Sequence, residues 1–415
     1  MRILVFEQRY TSPKEAGFAR FSLLSQYWTE AGHEVYVVSG MINYILSRKP
    51  EEYKGKLFVR QEERQGLTVY RVWESGIGYF TFIGRLCSYF SFLVSAFIAG
   101  LLLPKPDIVI ASSPPIFVGL LGRIVSLFRG AAFIFEVRDI WPDAAIKLKL
   151  LKSKILIKMS YALEGFIYEN ADFVVTNSPG IKEFLVENKS IASAKIGVAP
   201  NPVDLDLFKH LPAKGEARKE FNLPEDKFIF LYSGAMAAVY DFDLLLEAAK
   251  ELNNLPLYFV LAGGGRQKNK IAERIRAEKI KNVLIMDSVS KEKLPVLLAA
   301  ADAGIAVLSD MPLLKYVYAT KIFDYMAAGK PIVIAMEGVS PDLICNKAQC
   351  GVCVEPKDKN ALKRAIVKIF EKGNLLNKIG QNGLDYLRIN FNPEKISRSY
   401  LSYIIRSSNH TKETR

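Results

Sequence analysis

Short apolar runs alternate with longer helical patterns along this 415-residue chain, and the alternation occurs in two series. The first series is Ile3–Phe6, Val35–Ser39, Ile108–Ser112, Phe133–Glu136 and Phe173–Thr176. The second is Phe228–Tyr232, Tyr258–Ala262, Val283–Met286, Gly304–Leu308 and Ile332–Ala335. A short run that is apolar at every position suits a strand covered on both faces, and helical stretches between such strands impose crossover connections and parallel pairing. The pattern predicts an α/β chain of two doubly wound, Rossmann-like domains facing across a cleft, with ligands at the carboxyl ends of the strands. A chain of 415 residues also exceeds one hydrophobic core. The proline-bearing segment Ala199–Phe208 separates the series. Domains are therefore expected over residues 1–200 and 201–390, with a helix in 391–415 that packs back on the first domain and a frayed tail from Ser407.

Half of the residues are apolar and the net charge is +13, so the chain folds compactly and should meet an anionic partner. No nucleic-acid-binding motif accompanies the charge, which leaves a nucleotide diphosphate and an anionic membrane surface. Two segments favour the membrane. Leu86–Leu103 is long and uncharged enough to be a span candidate, but Pro104–Ala111 continues as the next strand of the same sheet. It reads as a helix buried against the sheet with one face toward lipid. Ile146–Lys158 interleaves lysines with large aliphatics, which suits anionic lipid. Of the four cysteines, Cys350 and Cys353 form a Cys-x-x-Cys pair, read with the others as thiols in a reducing cytoplasm.

Residues able to carry chemistry cluster at expected strand ends. Thr320 is placed to cap a helix, with Lys321 in its first turn and Asp324 three residues on, on one face near a terminus that favours anions. The cation suits phosphates and the carboxylate suits ribose hydroxyls. Leu261–Arg266 ends a strand in three glycines and an arginine, fitting a phosphate or base but not the dinucleotide fingerprint. In the first half, Phe133–Pro142 delivers Glu136, Arg138 and Asp139 to a strand end, and the loop after Glu7 carries Gly17 toward a helix containing Arg20. Asp204-Leu-Asp206 and Asp241-Phe-Asp243 read as turn and helix-start residues, and no metal is expected.

Several segments in fixed order resemble the retaining family 4 glycosyltransferases of the GT-B fold. They resemble most the subgroup that adds amino sugars to lipid-linked precursors of bacterial surface polysaccharides. The carrying segments are Ala31–Val35, Asp107–Pro115, Glu136–Pro142, Asn177–Gly180, Pro200–Asp204, Ala300–Gly304 and Lys321–Pro331, so the likeness covers nearly the whole chain. The resemblance implies that Asp324 binds ribose and Lys321 reaches the diphosphate. Ser233, Gly234, Gly264, Gly265 and Arg266 would line the nucleotide side, Glu337 and Gly338 would approach the donor sugar, and Asp139 would lie beneath it. Gly17, Arg20, Glu136 and Arg138 would then serve the acceptor side.

The implied reaction moves a sugar, an N-acetylhexosamine by this likeness, from a UDP-sugar to a polyprenyl-diphosphate-linked saccharide. It would run without metal or other cofactor on the cytoplasmic face of the membrane. A sugar-nucleotide epimerase on the same fold and a non-catalytic nucleotide- or lipid-binding subunit are the alternatives. The chain departs from the family in four places. Asp324 stands where Glu is usual, Ala319 where Pro is, Pro202 where Gly is, and Ser233–Phe242 has no basic residue where relatives often carry one.

Overall fold

The computed structural model describes residues 1–12, 19–43, 48–79 and 81–413. It divides into one unit of Met1–Pro202 with Pro393–Arg415 and a second of Val203–Asn392. The first carries β1 (Arg2–Phe6), β2 (Glu34–Gly40), β3 (Phe58–Arg64), β4 (Leu67–Val72), β5 (Ile108–Ser112), β6 (Ala132–Val137), β7 (Phe173–Thr176) and β8 (Ile196–Val198). They form one sheet in the order β3-β4-β2-β1-β5-β6-β7-β8. All pairings are parallel except β3 with β4, joined through the tight turn at Gly66. The chain reverses direction across the sheet beside β1, so the ends of β1, β5 and β6 form its switch point.

The second unit carries β9 (Phe228–Ser233), β10 (Leu257–Ala262), β11 (Val283–Met286), β12 (Ala303–Val307), β13 (Ile332–Ala335) and β14 (Gly351–Val354). These are parallel in the order β11-β10-β9-β12-β13-β14, with the switch point between β9 and β12. All ten runs read from the sequence are strands here. The four missed strands are β3, β4, β8 and β14. β3 alternates exposed and half-buried positions and is rich in charge, β4 is interrupted by Thr68 and Arg71, and β8 and β14 are short edge strands, so none shows a continuous apolar run.

The apolar segment becomes the helix Phe82–Leu102. Its inner side is packed: Phe92, Ala96 and Ala99 are buried, and a Cβ on Gly100 would meet Phe6 at 2.8 Å and Val125 at 3.2 Å. Its outer side leaves Phe90, Val94, Ile98 and Leu102 exposed at helical spacing. The C-terminal helix Pro393–Glu413 packs into the first unit. Trp28 donates to the Ser397 carbonyl at 3.1 Å, and Tyr400 packs edge-on to Trp28 and Phe21. Ser407 and Ser408 are buried within this helix, so the expected frayed tail does not begin there.

The cysteines differ from expectation. Cys345 and Cys353 form a disulfide across 6.4 Å between Cα atoms, while Cys350 remains a buried free thiol and Cys87 an exposed one. Cys350 lies just before β14 and is buried, whereas Cys353 within β14 meets Cys345 of the helical segment Asp342–Lys347.

Candidate active site

In the second unit, two glycine turns meet at the carboxyl ends of β9 and β10. The Gly234 N–H donates to the Ala262 carbonyl at 3.0 Å, and the Met236 N–H to Gly264 at 2.7 Å. A Cβ on Gly263 would lie 1.9 Å from the Gly234 carbonyl, and one on Gly265 2.7 Å from that of Met236. Only glycine permits this contact, and Gly234 (φ 126°) and Gly265 (φ 139°) adopt angles that side chains avoid. Ser233 is buried at the edge of the turn, where its N–H donates to the Tyr325 hydroxyl at 3.1 Å.

Lys321 opens the helix Lys321–Ala327, which runs into β13 through Gly329, a left-handed residue. Its side chain reaches the same turn: a Cβ on Gly234 would sit 3.8 Å from Lys321 Nζ. Lys321 is 5% exposed, and among the described residues its ammonium has neither a hydrogen bond nor an ion pair. What faces it instead is aromatic. Nζ lies 3.6 Å from the ring centroid of Tyr240 and 4.6 Å from that of Tyr232. Burial lowers Lys321 to about 7, with the Asp324 charge opposing. Burial likewise raises the Asp324 carboxyl to about 7, against the pull of Lys321. The Asp324 carboxylate takes no hydrogen bond or ion pair among the described residues. A buried cation and a half-buried carboxylate, both unpaired and three residues apart, are costly to fold and are suited to a ligand carrying phosphates and hydroxyls.

Thr320 does not cap: its backbone is already helical and its side chain makes no cap bond. The helix is only seven residues long, so Lys321 itself, not a helix terminus, supplies the positive charge. Arg266 is exposed beside Gly265, and Glu337 and Gly338 follow β13. Gly338 (φ 89°) touches backbone closely, since a Cβ there would lie 2.0 Å from the Lys315 carbonyl. Glu337 shares a hydrogen bond with Glu355 that raises the latter's carboxyl. The Asp-x-Asp residues have structural partners: Asp241 caps the helix Phe242–Glu251, Asp243 pairs with Lys270 and Arg274, and Asp206 pairs with Lys209.

In the first unit, charges at the strand ends are taken up by one another. Arg20 is fully buried and gives Glu136 two bonds, at 2.9 and 2.8 Å. It also donates to the carbonyls of Ala199 and Pro200, both at 2.7 Å. Glu136 takes a further bond from Ser112 at 2.6 Å. Neither side chain has exposed surface, so the two brace strand ends in this structure where acceptor contact was expected. Arg138 donates to Glu7 at 2.8 Å and to the Ser113 carbonyl at 3.0 Å and is half-buried. Asp139 keeps exposed surface and has no hydrogen bond or ion pair among the described residues. The protein around it raises its carboxyl, with Arg138 opposing. Gly17 lies outside the described residues.

Sequence reasoning singled out Lys321, Asp324 and the glycine turns, which the structure brings together, and did not single out Tyr232 and Tyr240. The available signal was their position, on either side of the turn that lacks a basic residue.

Comparison with known proteins covers both halves. Residues 19–202 match the glycosyl transferase 4-like domain, and residues 213–385 match glycosyl transferases group 1. Over 414 residues the chain is 27% identical to a protein named for colanic acid biosynthesis, the glycosyl transferase WcaI of Escherichia coli (strain K12), covering 97% of this chain and 100% of that one. A UDP-Gal:alpha-D-GlcNAc-diphosphoundecaprenol alpha-1,3-galactosyltransferase of Escherichia coli is 23% identical over 69% of this chain and 73% of its own. The crystal structure of HepE from Anabaena in complex with UDP-glucose superposes with a TM-score of 0.72 at 15% identity, covering 98% of this chain and 100% of that one.

Proposed function

We propose a specific reaction for what is, by the match of both its halves, a GT-B glycosyltransferase of polysaccharide biosynthesis: transfer of a sugar, with retention, from a UDP-sugar to a polyprenyl-diphosphate-linked saccharide. The observation that carries it is the unpaired Lys321 and Asp324 beside the Gly234 and Gly263–Gly265 turns. In this reading, Lys321 meets the diphosphate, Asp324 accepts the ribose hydroxyls, and Ser233 lines the nucleotide side. The related enzyme acting on a diphosphoundecaprenol-linked sugar supports the acceptor class, and the UDP complex of HepE supports the nucleotide. An N-acetylhexosamine is the donor sugar that the resemblance favours.

The acceptor hydroxyl attacks the anomeric carbon on the face from which the diphosphate leaves. The bond from that carbon to the diphosphate breaks, the bond to the acceptor oxygen forms, and a diphosphate oxygen takes the hydroxyl proton. Such a step needs alignment and neutralisation of the leaving charge, which Lys321 supplies without metal. Thermal shift with UDP and a panel of UDP-sugars, in EDTA, tests the reading. Stabilisation by UDP that Asp324→Ala abolishes is expected, and silence across the panel overturns the nucleotide assignment. Asp139→Ala should lower turnover and leave UDP affinity in place.

The same reading puts the enzyme on the cytoplasmic face of the membrane as a peripheral protein. It is supported by three helices in serial contact, Phe82–Leu102, Phe117–Arg129 and Lys154–Asn170. Their outward residues include Val94, Ile98, Leu102, Phe128, Ile155 and Met159, with Lys147, Lys149, Lys152, Lys154 and Lys158 exposed nearby. An apolar surface rimmed by one sign of charge suits insertion among anionic headgroups. Flotation with phosphatidylglycerol vesicles should carry the protein, and phosphatidylcholine vesicles should carry much less. Equal recovery would remove the role of the lysines.

A further inference from the structure

We infer that Tyr240 is a positioning residue for the donor diphosphate: its ring, with that of Tyr232, holds the Lys321 ammonium beside the Gly234 turn without neutralising it. The inference rests on the donor-site reading above and names how this chain serves that site with a single buried cation.

A buried ammonium requires a carboxylate, hydrogen-bond acceptors or the faces of aromatic rings. Among the described residues the Lys321 ammonium lies over two rings, at 3.6 Å for Tyr240 and 4.6 Å for Tyr232, and the Asp324 charge acts on it without an ion-pair contact. The difference matters for binding. A carboxylate in that place would cancel the charge and compete with the diphosphate, whereas a ring stabilises the cation through its quadrupole and leaves the N–H groups for phosphate oxygens. The loop Gly234–Val239 offers no second cation, being glycine, alanine, methionine and valine.

Tyr240 is held in place from several sides. Its carbonyl and that of Ala237 accept from the Gln267 amide at 3.3 and 2.6 Å. The neighbouring Asp241 N–H donates to the Val307 carbonyl at 3.0 Å, and the Ser309 N–H donates to that of Val239 at 2.9 Å. The Tyr240 ring meets Tyr232 edge-to-face at 5.3 Å and Phe242 at 6.2 Å. The hydroxyl of Tyr232 donates to the Ala235 carbonyl at 2.5 Å, fixing the second ring to the turn it helps to shape. The cage is thus built from the β9 end, the loop after it and the start of the Lys321 helix. It orients the ammonium before any ligand arrives.

The test is UDP affinity by calorimetry on the full chain, in a double-mutant cycle of Tyr240→Leu with Lys321→Ala. Tyr240→Leu should weaken UDP about tenfold, in line with a desolvated cation–π contact. Tyr240→Phe, which keeps the ring, should stay within about twofold. In the Lys321→Ala background, Tyr240→Leu should have no further effect, because the ring acts through that ammonium. An equal loss in both backgrounds would make Tyr240 a merely structural residue and overturn the inference, as would a Phe variant as weak as the Leu variant. If Lys321→Ala itself leaves UDP affinity unchanged, the donor-site reading fails instead. Should Tyr240→Leu not fold, phenylalanine analogues of rising fluorination at position 240 keep the shape and drain the ring face. A graded loss of UDP affinity is expected, and a flat series overturns the proposal.

Discussion

The two units place charged residues at equivalent ends of their sheets and treat them in opposite ways. In the first, Arg20 and Glu136 are sealed inside with every strong donor and acceptor matched, and Arg138 is tied to Glu7. In the second, Lys321 is also buried but faces aromatic rings, and the Asp324 carboxylate beside it has no hydrogen bond or ion pair among the described residues. Burial alone therefore does not identify a ligand site. A matched buried pair fixes strand ends and loops in place, whereas an unmatched one keeps its electrostatic capacity for a molecule that arrives later.

Stability measurements give the sharpest way to break this contrast. Arg20→Met leaves Glu136 buried without its cation and frees the carbonyls of Ala199 and Pro200, so it should cost about 3–5 kcal/mol. Lys321→Met removes a buried charge that has no partner and should leave stability unchanged or raise it. Urea unfolding compares the two directly. If Lys321→Met costs as much as Arg20→Met, Lys321 is a structural residue and the contrast collapses.

Binding gives the next effect in size. A carboxylate accepting ribose hydroxyls is worth about 1.5–3 kcal/mol, so Asp324→Ala should weaken UDP roughly 10- to 150-fold. Asp324→Glu restores the length usual in the resembling family and should bind UDP at least as well as the wild type. Calorimetry that finds Ala and Glu variants equivalent would separate Asp324 from the ribose.

The contrast also explains what the sequence disclosed. Strands covered on both faces, such as β6 and β12, are continuous apolar runs and were legible. The antiparallel β3 is half charged and was not. The pieces of the donor site were legible because glycines, lysine and aspartate keep characteristic spacing within single segments. That Arg20 and Glu136 are matched to each other was not legible, because the pairing joins residues 116 positions apart and a sequence does not show which charges are already matched. Tyr240 was missed for the related reason that its partner, Lys321, belongs to another segment. The Cys345–Cys353 link was hidden because strand direction, not spacing, decides which cysteine faces which.

A final effect is in pH dependence, and its shape is specific to an unmatched pair. Lys321 sits at about 7 in the folded chain, below its ordinary 10.5, because of burial. Between those values the unfolded chain binds the proton that the folded chain has released, so stability rises with pH across that window. Asp324 sits at about 7, above its ordinary 3.8, again because of burial. Here the folded chain keeps the proton, so stability falls as pH rises from about 4 to about 7. The two contributions meet in a minimum near neutrality. Urea midpoints measured from pH 4 to 10 should show it as a difference between the wild type and each variant: Lys321→Met removes the rising limb and Asp324→Asn the falling one. UDP should fill the minimum, since phosphate oxygens favour the ammonium and ribose hydroxyls favour the carboxylate. A difference curve without limbs would mean that both groups are already matched in the free protein, and the two units would then follow one rule instead of two.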